Sequence, residues 1–320
     1  MKNKISTLIR VVTSFGLLGF LIWFMRGDIA KIGSSLAAAN LNIIGICVIS
    51  IFINTLMQAY RLKTIFCGEN LNITFKESVE FTFVGYFFNN FMPTAVGGDI
   101  VKAHYAASAN GKKVESYASV FMDRIIGLYT FIVVAAAALI LDQGKMRIVG
   151  VKPVVFGLIV MGVIGYIVVT HKNIEQFMER AFNRIKMFGI GKKLHSLYLV
   201  VHDYRNRGDI VIKSVIISLC GQGLYFISVY LIFKALGGTV AFGNILLIMP
   251  IVVFISMIPS LGGLGVREGA IVALFSPLVG RDMAFAASLL VLAGLFFVSL
   301  IGGAIYVWWG VKGMRVKVEE

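Results

Sequence analysis

Apolar residues along this chain are gathered in long blocks, with polar residues mostly confined to the gaps between them. Six blocks approach or exceed the roughly 20 residues a helix needs to cross a hydrocarbon core. They cover residues 11–25, 42–60, 118–141, 153–170, 210–233 and 284–309. Two further apolar regions, 79–108 and 244–276, are broken in the middle. No alternating ten-residue strand pattern runs along the chain, and lipid gives exposed backbone groups no water partner, so the blocks predict helices. Lys2, Lys4 and Arg10 precede the first block as they would in a signal peptide, but no small-x-small site follows Phe24 directly, so a retained span is expected.

The two breaks are built alike. In "FFNNFMPTAVGGDIVKAHYA", residues 87–106, the flanking segments 79–92 and 97–108 are each only about 20 Å long as helices, short of the ~30 Å core. Pro93 cannot continue the preceding hydrogen-bond ladder, and Gly97 and Gly98 permit close backbone approach. The second region, "ISMIPSLGGLGVREGAIVALF", repeats the device with Pro259, Gly262 and Gly263. Lys102 stands five residues after Gly97, and Arg267 stands five after Gly262. Each region therefore predicts a re-entrant helical hairpin.

The element order repeats too. Residues 1–141 run span, connection (27–41), span, hairpin 79–108, span; residues 142–320 run span, amphipathic stretch 173–207, span, hairpin 244–276, span. The expectation is an all-α polytopic membrane protein of six full spans plus two re-entrant hairpins, arranged as an inverted repeat.

Composition agrees: 58% hydrophobic residues, 14% charged residues and a mean hydropathy of +0.87 exclude a water-soluble globule of 320 residues. The net charge of +14 needs no nucleic acid to explain it, because its placement is that of a membrane topology. With the N-terminus inside, the inner segments (1–10, 61–78, 109–117, 171–213 and 310–320) hold 20 of the 30 Lys and Arg, and the outer ones hold seven. This places both termini in the cytoplasm and the chain in the cytoplasmic membrane, with the basic loops facing anionic headgroups. The stretch 173–207, with Phe177, Phe182, Ile185 and Phe188 among Arg180, Arg184 and Lys186, suits an interfacial helix, with partner docking as the alternative.

The remaining basic residues, Lys102, Arg124 and Arg267, fall inside membrane-embedded segments, where a charge costs on the order of 3 kcal/mol or more. Snorkelling is the bland explanation; a polar cavity is the functional one. The second half-helix of each hairpin begins at the tip, so its unpaired N–H groups join Lys102 and Arg267 in a site for an anion, and a lipid phosphate is the abundant one. Asp99 and Glu268 either cap those helices and pair with the bases, or handle protons and headgroups. Asn89 and Asn90 either meet headgroup hydroxyls or satisfy backbone at the break. Asp123 and Arg124 point about 100° apart on their helix, and Arg124 is expected to reach Asp99 or a phosphate, with a plain helix–helix ion pair as the alternative. Cys47, Cys67 and Cys220 and the four histidines lack metal-ligand spacing, so neither a metal nor a cofactor is expected.

"NNFMPTAVGGDIVKAHY" (89–105), "ASVFMDRIIGL" (118–128) and "IPSLGGLGVREGA" (258–270) resemble the three signature regions of the lysylphosphatidylglycerol synthase transmembrane-region family, flippase-like membrane proteins. The resemblance places Pro93, Gly97, Gly98, Asp99 and Lys102 in the first signature, Asp123 and Arg124 in the second, and Gly263, Gly265, Arg267 and Glu268 in the third. Lys102 departs mildly, standing where Arg is common, which exchanges a bidentate clamp for a point charge. Members best known in the family join this region to a soluble aminoacyl-transferase domain. Only a short charged tail follows Trp309 here, so a stand-alone domain without lysyltransferase activity is expected. The implied function is translocation of an anionic phospholipid or polyprenyl-linked lipid. Two alternatives stand beside it: a lipid-binding accessory subunit of a lipid- or glycan-modifying enzyme, and a membrane-embedded lipid-phosphate transferase using Asp99 or Glu268 as base.

Overall fold

The computed structural model describes residues 33–34, 36–92, 96–142, 148, 150–170, 202, 204, 207–258, 260 and 263–311. The first apolar block, Pro93, Pro259, Gly262 and nearly all of the stretch 173–207 lie outside the described residues. The described elements are helices: α1 (Leu41–Gly68), α2 (Phe75–Phe91), α3 (Gly97–Asn110), α4 (Lys113–Leu141), α5 (Val151–Thr170), α6 (Gly208–Ala235), α7 (Phe242–Ile255), α8 (Val266–Val279) and α9 (Arg281–Val311).

Among the described residues, α1, α4, α6 and α9 are long and apolar enough to cross a membrane. Their outward faces are apolar and exposed, with Ile46, Ile49 and Ile53 on α1, Phe121 and Val133 on α4, and Leu300 and Val307 on α9. Large apolar side chains exposed in such rows belong against lipid rather than water. Both broken regions appear as helix pairs. α2 and α3 have 17 and 14 residues, and α7 and α8 have 14 each, so none exceeds about 26 Å.

Local chemistry sets the ends. Asn40 accepts from Asn42 N–H at 3.1 Å and Ile43 N–H at 3.3 Å to start α1. Thr74 and Glu77 form a reciprocal capping box at the start of α2. At the first tip Asn89 Oδ1 accepts from Gly98 N–H at 2.8 Å, so a side chain of one half-helix caps the next. At the second tip Gly265 has φ of 79°, a left-handed turn, and its N–H donates to Glu268 Oε2 at 2.6 Å.

Packing is most extensive between α1 and α6. α2 lies along α9 and α7 along α4; α3 packs on α4 and α8 on α9; α1 also touches α9, and α6 touches α4. Small residues allow these approaches: any Cβ at Gly302 of α9 would collide with the Phe83 carbonyl of α2. The largest apolar core runs through α4, α6, α7, α8 and α9 and includes Phe226, Phe233, Ile248 and Phe275. Of the 173–207 stretch, Tyr204 is buried among Ile65, Met122 and Ile126, and its hydroxyl donates to the Ile65 carbonyl at 3.3 Å. Burial pushes that hydroxyl's pKa upward, so it stays a donor. Arg207 meets Glu69 at 3.3 Å beside it.

Candidate functional site

α1, α2, α3, α4, α6, α7 and the second tip enclose a cavity of about 310 Å³. A space of that size is enough for a phosphate-bearing headgroup. Its polar wall comes from Asn54 and Gln58 on α1, Tyr86, Asn89 and Asn90 on α2, Asp99 and Lys102 on α3, and Asp123 and Arg124 on α4. Opposite lie Ser218 and Gln222 of α6, and Gly263 and Arg267 of the second tip. Phe131, Val252, Val253, Met257 and Leu295 form the apolar remainder.

Lys102 and Arg267 are both buried, each 7% exposed, so neither snorkels. Lys102 Nζ lies 3.3 Å from Asp99 Oδ1 and 6.0 Å from the Tyr86 ring centroid. Gly85 makes its path possible, since a Cβ there would strike the Lys102 stem. Arg124 Nη1 donates to Asp99 Oδ2, so one carboxylate serves two cations from two helices. Arg267 folds back on its neighbour, with Nε and Nη2 donating to Glu268 Oε1 at 3.0 and 2.8 Å, although adjacent helical residues do not ordinarily face each other. Glu268 is fully buried and also caps Gly265, which saturates both of its oxygens.

Asp123 and Arg124 diverge. Asp123 turns to Arg61 of α1, accepting from Nε at 2.7 Å and Nη2 at 3.1 Å. Arg61 Nη1 donates to Ser218 Oγ at 2.8 Å, and Ser218 adjoins Thr130 at 2.7 Å. Gln222 Nε2 closes the network by donating to Thr130 Oγ1 at 2.7 Å and the Gly127 carbonyl at 2.8 Å. The sequence reading counted Arg61 with the inner basic segment 61–78 and did not place it in the site. α1 runs on to Gly68, and Arg61, 6% exposed, is a fourth base of the buried cluster.

Gly97, Gly98, Gly263 and Gly265 sit at the tips, and a Cβ at Gly98 would meet the Gly85 carbonyl and the Asn89 side chain. Asn89 is engaged as a cap, whereas Asn90 Nδ2 and Gln222 Oε1 are buried without a hydrogen-bond partner among the described residues. Both residues line the cavity. Pro93, Pro259 and Gly262 lie outside the described residues.

Comparisons with known proteins place the chain among membrane proteins. The family described as lysylphosphatidylglycerol synthase TM region matches residues 7–303. The chain belongs to that family. It is also similar to the UPF0104 membrane protein PH1989 of Pyrococcus horikoshii, 25% identical over 321 residues, covering 92% of this chain and 94% of that one. With four helices fit to span a bilayer and a membrane-region family covering nearly its whole length, the chain is a multi-pass membrane protein.

Proposed function

We propose that this protein moves an anionic lipid, a phospholipid or polyprenyl-linked lipid, across the cytoplasmic membrane by passing its headgroup through the cavity between the two helix pairs. One observation carries the reading: four basic side chains, Arg61, Lys102, Arg124 and Arg267, converge on one cavity among apolar helices. Fixed cations in a low-dielectric surround favour an anion, and the acyl chains of its lipid remain in the bilayer. Asp99, Asp123 and Glu268 are each ion-paired with a base of the cluster, so they hold those cations in place rather than standing ready as general bases, which supports transport over group transfer.

In this reading α2–α3 enters from the cytoplasm, α7–α8 enters from outside, and both termini are cytoplasmic. Helix packing supports the inverted repeat. Exchanging α1–α4 with α6–α9 turns each of the more extensive contacts among these eight helices into another of them: α2 on α9 becomes α7 on α4, and α1 on α9 becomes α6 on α4. Access then alternates by rocking one half against the other about the α1–α6 contact.

The test is lipid exchange in reconstituted vesicles carrying a fluorescent phosphatidylglycerol. Wild-type protein exposes inner-leaflet probe to an external quencher, and Arg124→Ala and Arg267→Ala, checked for folding, fall to the protein-free rate. Wild-type rates equal to protein-free vesicles overturn the proposal. Should the protein bind lipid that never crosses, the accessory-subunit role in a lipid-modifying assembly takes its place.

A further inference from the structure

The three carboxylates of the cluster are held in different ways. Asp123 accepts two nitrogens of Arg61 in a fork, and Glu268 accepts three N–H groups, one of them backbone. Those geometries leave little room for exchange. Asp99 has only Lys102 and Arg124, and each gives it a single nitrogen. Arg124 therefore keeps Nε and Nη2 unengaged by any described residue, on a side chain 24% exposed in the cavity wall. Lys102 Nζ, at 3.3 Å, is held by charge without a close hydrogen bond. The carboxylate of Asp99 thus sits where an anionic ligand's oxygens would gain most.

Formal charge adds the second observation. Four positive charges meet three negative ones, Asp99, Asp123 and Glu268, among the described residues of the cluster. One positive charge is surplus, and it belongs to the Lys102–Asp99–Arg124 group, because the other two pairs are matched one to one. A ligand with one negative charge makes the buried site neutral; a doubly charged phosphomonoester or a pyrophosphate leaves excess negative charge in a low-dielectric place. The unpartnered Asn90 Nδ2 and Gln222 Oε1 offer hydrogen bonds to uncharged hydroxyls.

We propose that Asp99 is a built-in competitor for the ligand's phosphate and sets the ligand's charge, so that the site selects a phosphodiester bearing one negative charge and a neutral hydroxylated headgroup. This rests on the anion-site reading above. On binding, a phosphodiester oxygen takes Arg124 and Lys102 from Asp99, which lies in the first turn of α3, where the helix end favours an anion. On release, Asp99 returns to the two cations and expels the headgroup.

The experiment is binding to purified full-length protein, with phosphatidylglycerol, phosphatidic acid, phosphatidylcholine and water-soluble glycerophosphoglycerol as probes. Wild type should prefer phosphatidylglycerol over phosphatidic acid and phosphatidylcholine. Asp99→Asn should bind phosphatidylglycerol several-fold more tightly, shift preference towards phosphatidic acid and slow exchange. A merely structural Asp99 moves the first readout the other way and leaves the preference unchanged, which overturns the inference. Arg124→Gln, which keeps Asp99, supplies an independent check: it should erase the preference for charged over zwitterionic lipid, and a retained preference overturns the charge argument. If neither Arg124→Ala nor Lys102→Ala weakens any probe, the anion site itself is wrong. Tightening of glycerophosphoglycerol to the lipid's own affinity in Asp99→Asn supports the role of Asp99 while removing the case for a lipid ligand.

Discussion

Arg61 and Asp123 lie 62 positions apart in sequence and form a two-point ion pair at 2.7 and 3.1 Å, joining α1 to α4, while the third nitrogen of the same guanidinium reaches Ser218 on α6. Three helices thus meet on one planar group, with side-chain exposures of 7% and 9% on the two partners. In the inverted-repeat reading α1 and α4 belong to one half and α6 to the other, so this group ties the halves together at the level of the cavity.

Removing one partner should be far worse than removing both. Arg61→Ala leaves Asp123 buried without a counter-charge, at an expected cost of 3–5 kcal/mol, roughly the worth of a broken buried pair. Arg61→Lys keeps the charge but loses the fork and should fall in between. The double variant Arg61→Met/Asp123→Leu should recover most of the loss. Thermal unfolding in detergent, followed by fluorescence of a thiol-reactive dye or by size exclusion, checks the order.

Two glycines of α2 and α3 hold the first helix pair together. A methyl group at Gly98 meets the Gly85 carbonyl, and one at Gly85 meets the Lys102 stem. Gly98→Ala should destabilise by about 1–3 kcal/mol, the usual effect of overpacking, because backbone cannot yield as a flexible side chain can. Gly85→Ala should cost less stability but displace Lys102 and weaken anion binding. Gly45→Ala on α1, with nothing within 4 Å, is the control and should leave both unchanged.

How much of this was legible in the sequence follows from how local each feature is. The breaks at 93–98 and 259–263 were readable because Pro and paired Gly act on their own backbone, and the helix pairs α2–α3 and α7–α8 end within a few residues of the expected limits. Lys102, Arg124 and Arg267 stood out because each interrupts apolar sequence. Arg61 did not, since it falls one residue beyond the apolar block 42–60 and resembles the start of a basic loop. Only its partner on α4, invisible to any local window, makes it part of the site. The network of Ser218, Thr130 and Gln222 was missed for the same reason. Its one available signal is Gln222, an amide in the middle of the mostly apolar block 210–233.

Glu268 and Asp99 occupy the first turns of α8 and α3 and should nevertheless respond differently to loss of charge. Glu268→Gln removes the counter-ion from Arg267 and replaces one of the two oxygens that hold Arg267 and Gly265 by an amide. A marked loss of folded protein is expected, about 3 kcal/mol or more. Comparing expression and unfolding midpoint of Glu268→Gln with those of Asp99→Asn checks it: equal stability in the two variants contradicts the distinction drawn from their contacts.

Asn90 offers the most direct electrostatic test, because it lines the cavity and its amide nitrogen is buried without a partner among the described residues. Asn90→Asp adds a negative charge of nearly the same shape and cancels the single surplus positive charge of the cluster. Anionic-lipid affinity should drop about tenfold, which corresponds to ~1.4 kcal/mol, a modest value for two charges a few ångströms apart in a protein interior. Asn90→Leu removes the hydrogen bond without adding charge, so it should cost only a few-fold and retain the preference for phosphatidylglycerol over phosphatidylcholine. The loss in Asn90→Asp should shrink if Asp99 is neutralised in the same chain, because Asp99→Asn restores the surplus. Measuring the four combinations as a double-mutant cycle separates a charge effect from a shape effect. Additive effects would mean that Asn90 and Asp99 are not coupled to each other.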